Sequence, residues 1–234
     1  MKIGVFAYNF PHWKTQAGIQ NLCISGNKPD IVLAADPVDL KFYKSKIRIA
    51  PKDIFLWHPK RLCEYYGIEY RVVKHSSEET SKIIKQRSLS IGVILGARIL
   101  KPMAFENFEL GVINMHPGIL PENRGLDNIK WAIINNIPQG VTTHIVDEKI
   151  DRGLKILQEE INIYPDDSLV DIQVRLQNLE QKLMIESISH VKEHGVQKLE
   201  SLSKGTYYKS IPPEYEEGLL DIFPSYKRGQ SCQV

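Results

Sequence analysis

The sequence predicts an α/β fold: a Rossmann-like, doubly wound, mostly parallel sheet with an antiparallel hairpin addition and a short C-terminal extension. Over the first half of the 234 residues, short apolar runs alternate with segments of helical period, the pattern of strands buried on both faces and joined by crossover helices. Two strand-like runs then follow with only a short polar turn between them, as an antiparallel hairpin would. A long stretch of three-or-four apolar spacing comes next, which suits one amphipathic helix laid across the sheet.

Taken in order, residues 2–8 form the first strand and residues 15–25 the first helix. Residues 30–35, 69–73, 91–96 and 110–115 supply four further buried strands. Between them, residues 58–66 and 77–86 read as helices, the second opened by Ser76-Ser77-Glu78-Glu79, a cap followed by acids in the first turn. Trp131 with Ile129, Ala132 and Ile133 has helical spacing and reads as core. Residues 140–146 and 155–163 make the hairpin, with Asp151 at its turn. From 166 to about 194, Leu169, Ile172, Leu176, Leu179, Leu183 and Ile188 place one helical face on the sheet. These elements make residues 1–196 one domain. Residues 197–234 break periodicity at Gly205 and Pro212-Pro213, carry Tyr207, Tyr208, Tyr215, Phe223 and Tyr226, and read as an extension that docks.

Composition narrows the function classes. A net charge of +2, from Lys+Arg 30 against Asp+Glu 28, offers no field for an extended polyanion, so nucleic acid is disfavoured as a partner. No run approaches the roughly 18 apolar residues of a membrane span, and no signal-like segment opens the chain. Cys23, Cys63 and Cys232 are odd in number and widely spaced, which argues against disulfides and a zinc site and fits a reducing cytoplasm. Gly4, Gly18 and Gly26 form no dinucleotide fingerprint. His58, His75, His190 and His194 read as surface residues.

Chemistry gathers at Asn114-Met115-His116-Pro117, with Leu120-Pro121 and Arg124-Gly125 just after and Ile150-Asp151-Arg152-Gly153 beyond. Asn114 and His116 stand two apart at the end of a strand, so they share a face, and Pro117 ends the ladder behind them. That end of an open parallel sheet is where ligands bind. Attack of an amine on an acyl carbon builds a negative oxygen and a positive nitrogen together, so it needs a donor and a proton acceptor. Asn114 can donate, His116 can move a proton, and an acid from the hairpin turn, Asp151 or its rival Asp147, can orient the imidazole.

The run Ile113-Asn114-Met115-His116-Pro117-Gly118-Ile119-Leu120-Pro121, with Arg124-Gly125, Trp131-Ala132-Ile133, Gly140-Val141-Thr142-Thr143-His144, Asp147-Glu148 and Ile150-Asp151-Arg152-Gly153, resembles the formyltransferases that use 10-formyltetrahydrofolate. That family includes glycinamide ribonucleotide, methionyl-tRNA and sugar N-formyltransferases. The resemblance is strong over residues 89–158 and loose over 1–195. It implies that Asn114 hydrogen-bonds the oxyanion, that His116 accepts a proton or stabilises charge, and that Asp151 positions His116. His144 then supports the site from behind or faces the substrate, while its alternation with Thr142 and Val146 on one strand face also fits a satisfied core histidine. Arg98, Ile99 and Leu100, with Val146, Asp147 and Ile150, line the folate pocket, while Leu120, Pro121 and Gly125 shape the substrate wall. The resemblance implies 10-formyltetrahydrofolate as the formyl donor and no metal.

Departures narrow the acceptor. In place of the glycine-rich phosphate loop of the glycinamide ribonucleotide enzymes stands Tyr8-Asn9-Phe10-Pro11-His12-Trp13, and the stretch after the long helix is too short for the extra barrel of the methionyl-tRNA enzymes. The layout is closest to the sugar N-formyltransferases, so the expected partner is a small amine, a nucleotide-linked amino sugar, whose base Phe10, Trp13, Tyr207 or Tyr208 could stack. A homodimer through the tail is also allowed. The alternatives are a hydrolase that releases formate from the same donor, one of the other two acceptors, and a non-catalytic binding protein, against which the three polar residues argue.

Overall fold

A computed structural model describes residues 1–39 and 45–230; residues 40–44 and 231–234, and so Cys232, lie outside the described residues. The strands are β1 (Ile3–Tyr8), β2 (Ile31–Ala35), β3 (Glu69–Val72), β4 (Ile91–Ile94), β5 (Val112–His116), β6 (Arg124–Gly125), β7 (Gly140–Ile145), β8 (Leu154–Glu160), β9 (Glu200–Ser201) and β10 (Tyr207–Tyr208). The helices are α1 (Trp13–Ile24), α2 (Pro59–Tyr66), α3 (Glu78–Arg87), α4 (Pro102–Phe105), α5 (Asn128–Ile134), α6 (Leu169–His194), α7 (Pro213–Glu217) and α8 (Leu219–Gln230). The main sheet runs β3-β2-β1-β4-β5-β7-β8-β9. Its first five strands are parallel, and β7, β8 and β9 continue it in antiparallel sense. The doubly wound fold with its added hairpin is therefore as the apolar runs predict.

The near-continuous hydrophobicity of the central strands follows from burial on both faces. Val5 and Val93 join α1, α2 and α6 residues such as Ile19, Leu62 and Ile172 in one core cluster, and Phe6, Leu33 and Val112 join Ile84 of α3 and Phe105 of α4 in the other. Helix α6 closes the first layer: Leu169, Ile172, Leu176, Leu179, Leu183 and Ile188 are all buried, each worth about 1.5–3 kcal/mol. Ser168 and Asp171 start it with a reciprocal capping box. Among the described residues no helix is long and apolar enough to cross a membrane.

Two readings of the sequence need correction. His75 is buried at 6% exposure, with Nε2 3.0 Å from the Leu33 carbonyl oxygen and its ring edge-on to Phe6, because its position after β3 turns it under the sheet. The tail is more regular than its broken periodicity suggests. Gly218 and Pro224 obscure the pattern, yet Leu219, Phe223 and Tyr226 of α8 keep helical spacing and join the main core. A buried ion pair pins the tail to the domain: Lys130 Nζ of α5 lies 2.5 Å from Glu216 Oε1 of α7, with side-chain exposures of 2% and 3%. Ser45 Oγ donates to the same carboxylate, and the Lys46 amide donates to its other oxygen at 3.0 Å. Burial alone would raise the Glu216 carboxyl, but these donors hold it down to about 2.

Candidate active site

Residues 112, 114 and 116 alternate onto the face of β5 that α3 and α4 cover lower down, so Asn114 and His116 emerge together where that cover ends. Lys14 of α1 fixes the strand end from behind, donating to the Met115 carbonyl at 2.8 Å and to Glu180 of α6 at 2.6 Å. The loop after His116 is held by side chains of the hairpin. Thr142 Oγ1 donates to the Gly118 carbonyl at 2.7 Å and accepts from the Leu120 amide at 3.0 Å, while Gln158 Nε2 donates to the Leu120 carbonyl at 2.8 Å.

His116 is 4% exposed. Its Nε2 lies 2.7 Å from the Asn123 carbonyl oxygen, and since a carbonyl only accepts, Nε2 carries a proton. Asn128 Nδ2 donates to the same carbonyl at 2.9 Å and Asn123 Nδ2 donates back to the Asn128 carbonyl at 2.9 Å, so two asparagines lock the acceptor that fixes the ring. The other ring nitrogen, Nδ1, faces Asp151 Oδ1 at 3.5 Å.

Asp151 reaches this place because its turn doubles back. Ile145, the last residue of β7, pairs with Ile113 near the start of β5, so the chain beyond it must fold over the sheet face to bring Asp151 beside His116 at the strand's other end. Asp151 itself adopts a left-handed φ of 51°, a conformation aspartate tolerates better than most residues. Its Oδ2 accepts from the Gly125 amide at 3.0 Å. Asp147, the rival acid, is exposed and accepts from the Lys149 amide at 2.8 Å within its own turn.

His144 lies behind Asn114 and is 2% exposed. Burial pushes its pKa down to about 4, against the opposing pull of Asp151, and His116 adds to the lowering. The ring is thus neutral at pH 7. Nδ1 lies 3.2 Å from the Ile145 carbonyl oxygen and carries the proton, which leaves Nε2 to accept from Asn114 Nδ2 at 3.2 Å. One amide N–H of Asn114 is spent on that bond, and among the described residues no protein group takes the second, which can serve a ligand. The arrangement therefore supplies a fixed N–H donor for a developing oxyanion beside an imidazole and a carboxylate that can take up a proton.

The remaining residues implied by the resemblance fall on two sides. Leu100 is buried and shares a hydrophobic cluster with Val146, bringing the loop after β4 and the turn after β7 together. Arg98 is exposed, Ile99 is 71% exposed, and the Ile150 carbonyl is taken by Arg124. Leu120 is buried, Pro121 is half-buried after a cis bond, and Gly125 holds Asp151. Sequence alone assigns no role to Asn123, Asn128 or Arg124, although Asn123-Arg124-Gly125 lie inside the motif and Asn128 opens the next helix.

Histidine burial makes stability depend on pH. His12 is lowered to about 4 by burial and by Lys14, as His144 is lowered to about 4, and burial lowers His75 too. Below the ordinary value of about 6.5 the unfolded chain takes up protons that the folded chain refuses, so stability is full above about 6.5 and is lost as pH falls toward 4. The melting temperature should drop across that window, and less steeply in His144→Gln; a flat profile in both would contradict it.

The sequence model of the formyl transferase family matches residues 44–188. A methionyl-tRNA formyltransferase of Flavobacterium johnsoniae is 34% identical over 114 residues, covering 48% of this chain and 36% of that protein. One from Flavobacterium psychrophilum is 34% identical over 153 residues, 64% of this chain and 44% of the relative. The chain thus spans less than half the length of these relatives. Among solved structures, a sugar N-formyltransferase from a Shewanella species superposes with a TM-score of 0.64 at 21% identity, covering 96% of this chain and 88% of that one, a likeness of fold.

Proposed function

Since the chain belongs to the formyl transferase family, we propose that it moves a formyl group from 10-formyltetrahydrofolate to the amine of a small acceptor, a nucleotide-linked amino sugar. The observation that carries the transfer is the convergence of Asn114, His116 and Asp151. As the amine nitrogen bonds to the formyl carbon, the carbonyl oxygen gains charge and the free N–H of Asn114 meets it. The proton leaving that nitrogen passes to the His116–Asp151 pair, and the folate nitrogen departs as the carbonyl re-forms, taking up a proton. Leu100 and Val146 offer an apolar wall for the pterin, with Arg98 at its edge.

The acceptor class is supported at the end of β1. Tyr8 and Phe10 stack at 4.9 Å with His12 edge-on to Tyr8, and the Tyr8 hydroxyl donates to the Ala97 carbonyl at 3.0 Å. Burial raises the Tyr8 pKa and the Arg98 guanidinium lowers it, so this aromatic ledge adjoins the loop expected to hold the donor. A ledge of stacked rings suits a nucleobase better than a phosphate. Identity to methionyl-tRNA formyltransferases favours a second reading, in which the amine is that of methionyl-tRNA.

Incubation with the formyl donor and a panel of nucleotide-linked amino sugars, methionyl-tRNA and glycinamide ribonucleotide separates the readings. A mass gain of one formyl group on an amino sugar is expected. Formylation of methionyl-tRNA alone would replace the acceptor, and formate released without any acceptor would make the protein a hydrolase.

A further inference from the structure

Arg124 is 8% exposed, and its guanidinium touches two segments remote from it in sequence. Nε donates to the Ile150 carbonyl at 3.2 Å, joined there by Nη2, while Nη1 donates to the Gly205 carbonyl at 3.2 Å. Ile150 immediately precedes Asp151, and Gly125, immediately after Arg124, donates its amide to Asp151 Oδ2 at 3.0 Å. The left-handed turn that presents Asp151 to His116 is thus gripped through the carbonyl before it and through its own carboxylate.

The other end of the grip is the C-terminal extension. Residues 206–208 run alongside β6 as a strap: the Arg124 amide donates to Thr206 at 3.2 Å and the Leu126 amide to Tyr208 at 3.0 Å. Trp131 stacks on Tyr208 at 4.8 Å, and its indole N–H donates to the Lys209 carbonyl at 2.8 Å. Two glycines permit the approach. A Cβ at Gly125, whose φ is +100°, would strike the Tyr208 carbonyl, and one at Gly205 would strike that of Pro121 in the loop after His116.

We propose that Arg124 is a positioning residue for Asp151, and that the strap of residues 205–208 holds Arg124 in turn, so the C-terminal extension is a working part of the active site. The inference rests on the reading of Asp151 as the acid that serves His116. A guanidinium suits the place, since its rigid planar fork presents separate N–H groups to both carbonyls at once. A displacement of Asp151 by about 1 Å is enough to lower turnover on the order of 100-fold.

The test uses Arg124→Gln, which removes the grip, and Gly205→Val, which dislodges the strap and leaves Arg124 intact, so that loss of folding in one leaves the other. Crystal structures of the variants should show Asp151 moved out of ion-pair distance of His116 Nδ1. Formyl transfer should fall on the order of 100-fold in kcat with the KM for the donor little changed. In an Asp151→Asn background Arg124→Gln should add almost nothing, since both then act through one group. Asp151 unmoved in the variant structures, or the same loss from Arg124→Gln with and without Asp151, would overturn the proposal. A parent protein that formylates no amine would remove the proposed function instead, and the position of Asp151 in the variant structures would still decide this one.

Discussion

Asn114→Ala is expected to lower formyl transfer at least about 100-fold in kcat while leaving the fold intact, in line with the removal of one oxyanion donor. The side chain is half-buried at the strand end and, among the described residues, gives up only its bond to His144, so little packing is lost. His116→Ala should lose a comparable factor as the proton acceptor disappears, and the double variant little more than the worse single one, because both groups act in the same step. His144→Ala should cost less than either, since it frees the Asn114 amide to rotate but leaves it present. Steady-state rates with circular dichroism as the folding control decide this, and unchanged turnover in both Asn114→Ala and His116→Ala would show that the chemistry lies elsewhere or is absent.

Lys130→Ala should destabilise the protein by about 3–5 kcal/mol, because it removes the cation that balances the buried Glu216 charge, which the Ser45 and Lys46 donors do not neutralise. The pair joins α5, which follows the active-site loop, to α7 of the extension, so the loss should fall on the whole domain and not on a loose tail. Replacing both partners by apolar groups, Lys130→Met with Glu216→Leu, should recover most of the loss, since it removes the buried charges together. Urea unfolding midpoints measure both. A cost for Lys130→Ala near that of a surface substitution would mean that the extension is not part of the cooperative unit.

The fold was legible because its strands are buried on both faces and its long helix keeps one apolar stripe, patterns that survive in a single sequence. Asn114 and His116 were legible for a local reason, being two apart on one strand. Asp151 was legible only by its motif: the choice between it and Asp147 depends on a turn that reverses over the sheet, and no local pattern encodes that reversal. The grip of Arg124 was hidden because its partners are main-chain carbonyls, which leave no trace in residue identity, on segments remote from it in the chain. His75 looked like a surface residue because its partner is also a carbonyl, Leu33, and its neighbour Phe6 lies two strands away. In the extension, Gly218 and Pro224 interrupted a helix whose buried face, Leu219, Phe223 and Tyr226, only the packing makes evident.

A crystal structure with a non-transferring analogue of 10-formyltetrahydrofolate bound tests the central claim most directly. The carbonyl that replaces the formyl group should lie within hydrogen-bond distance of Asn114 Nδ2 and beside His116, with the pterin against Leu100 and Val146. An analogue bound away from Asn114, His116 and Asp151 would contradict the assignment of this site.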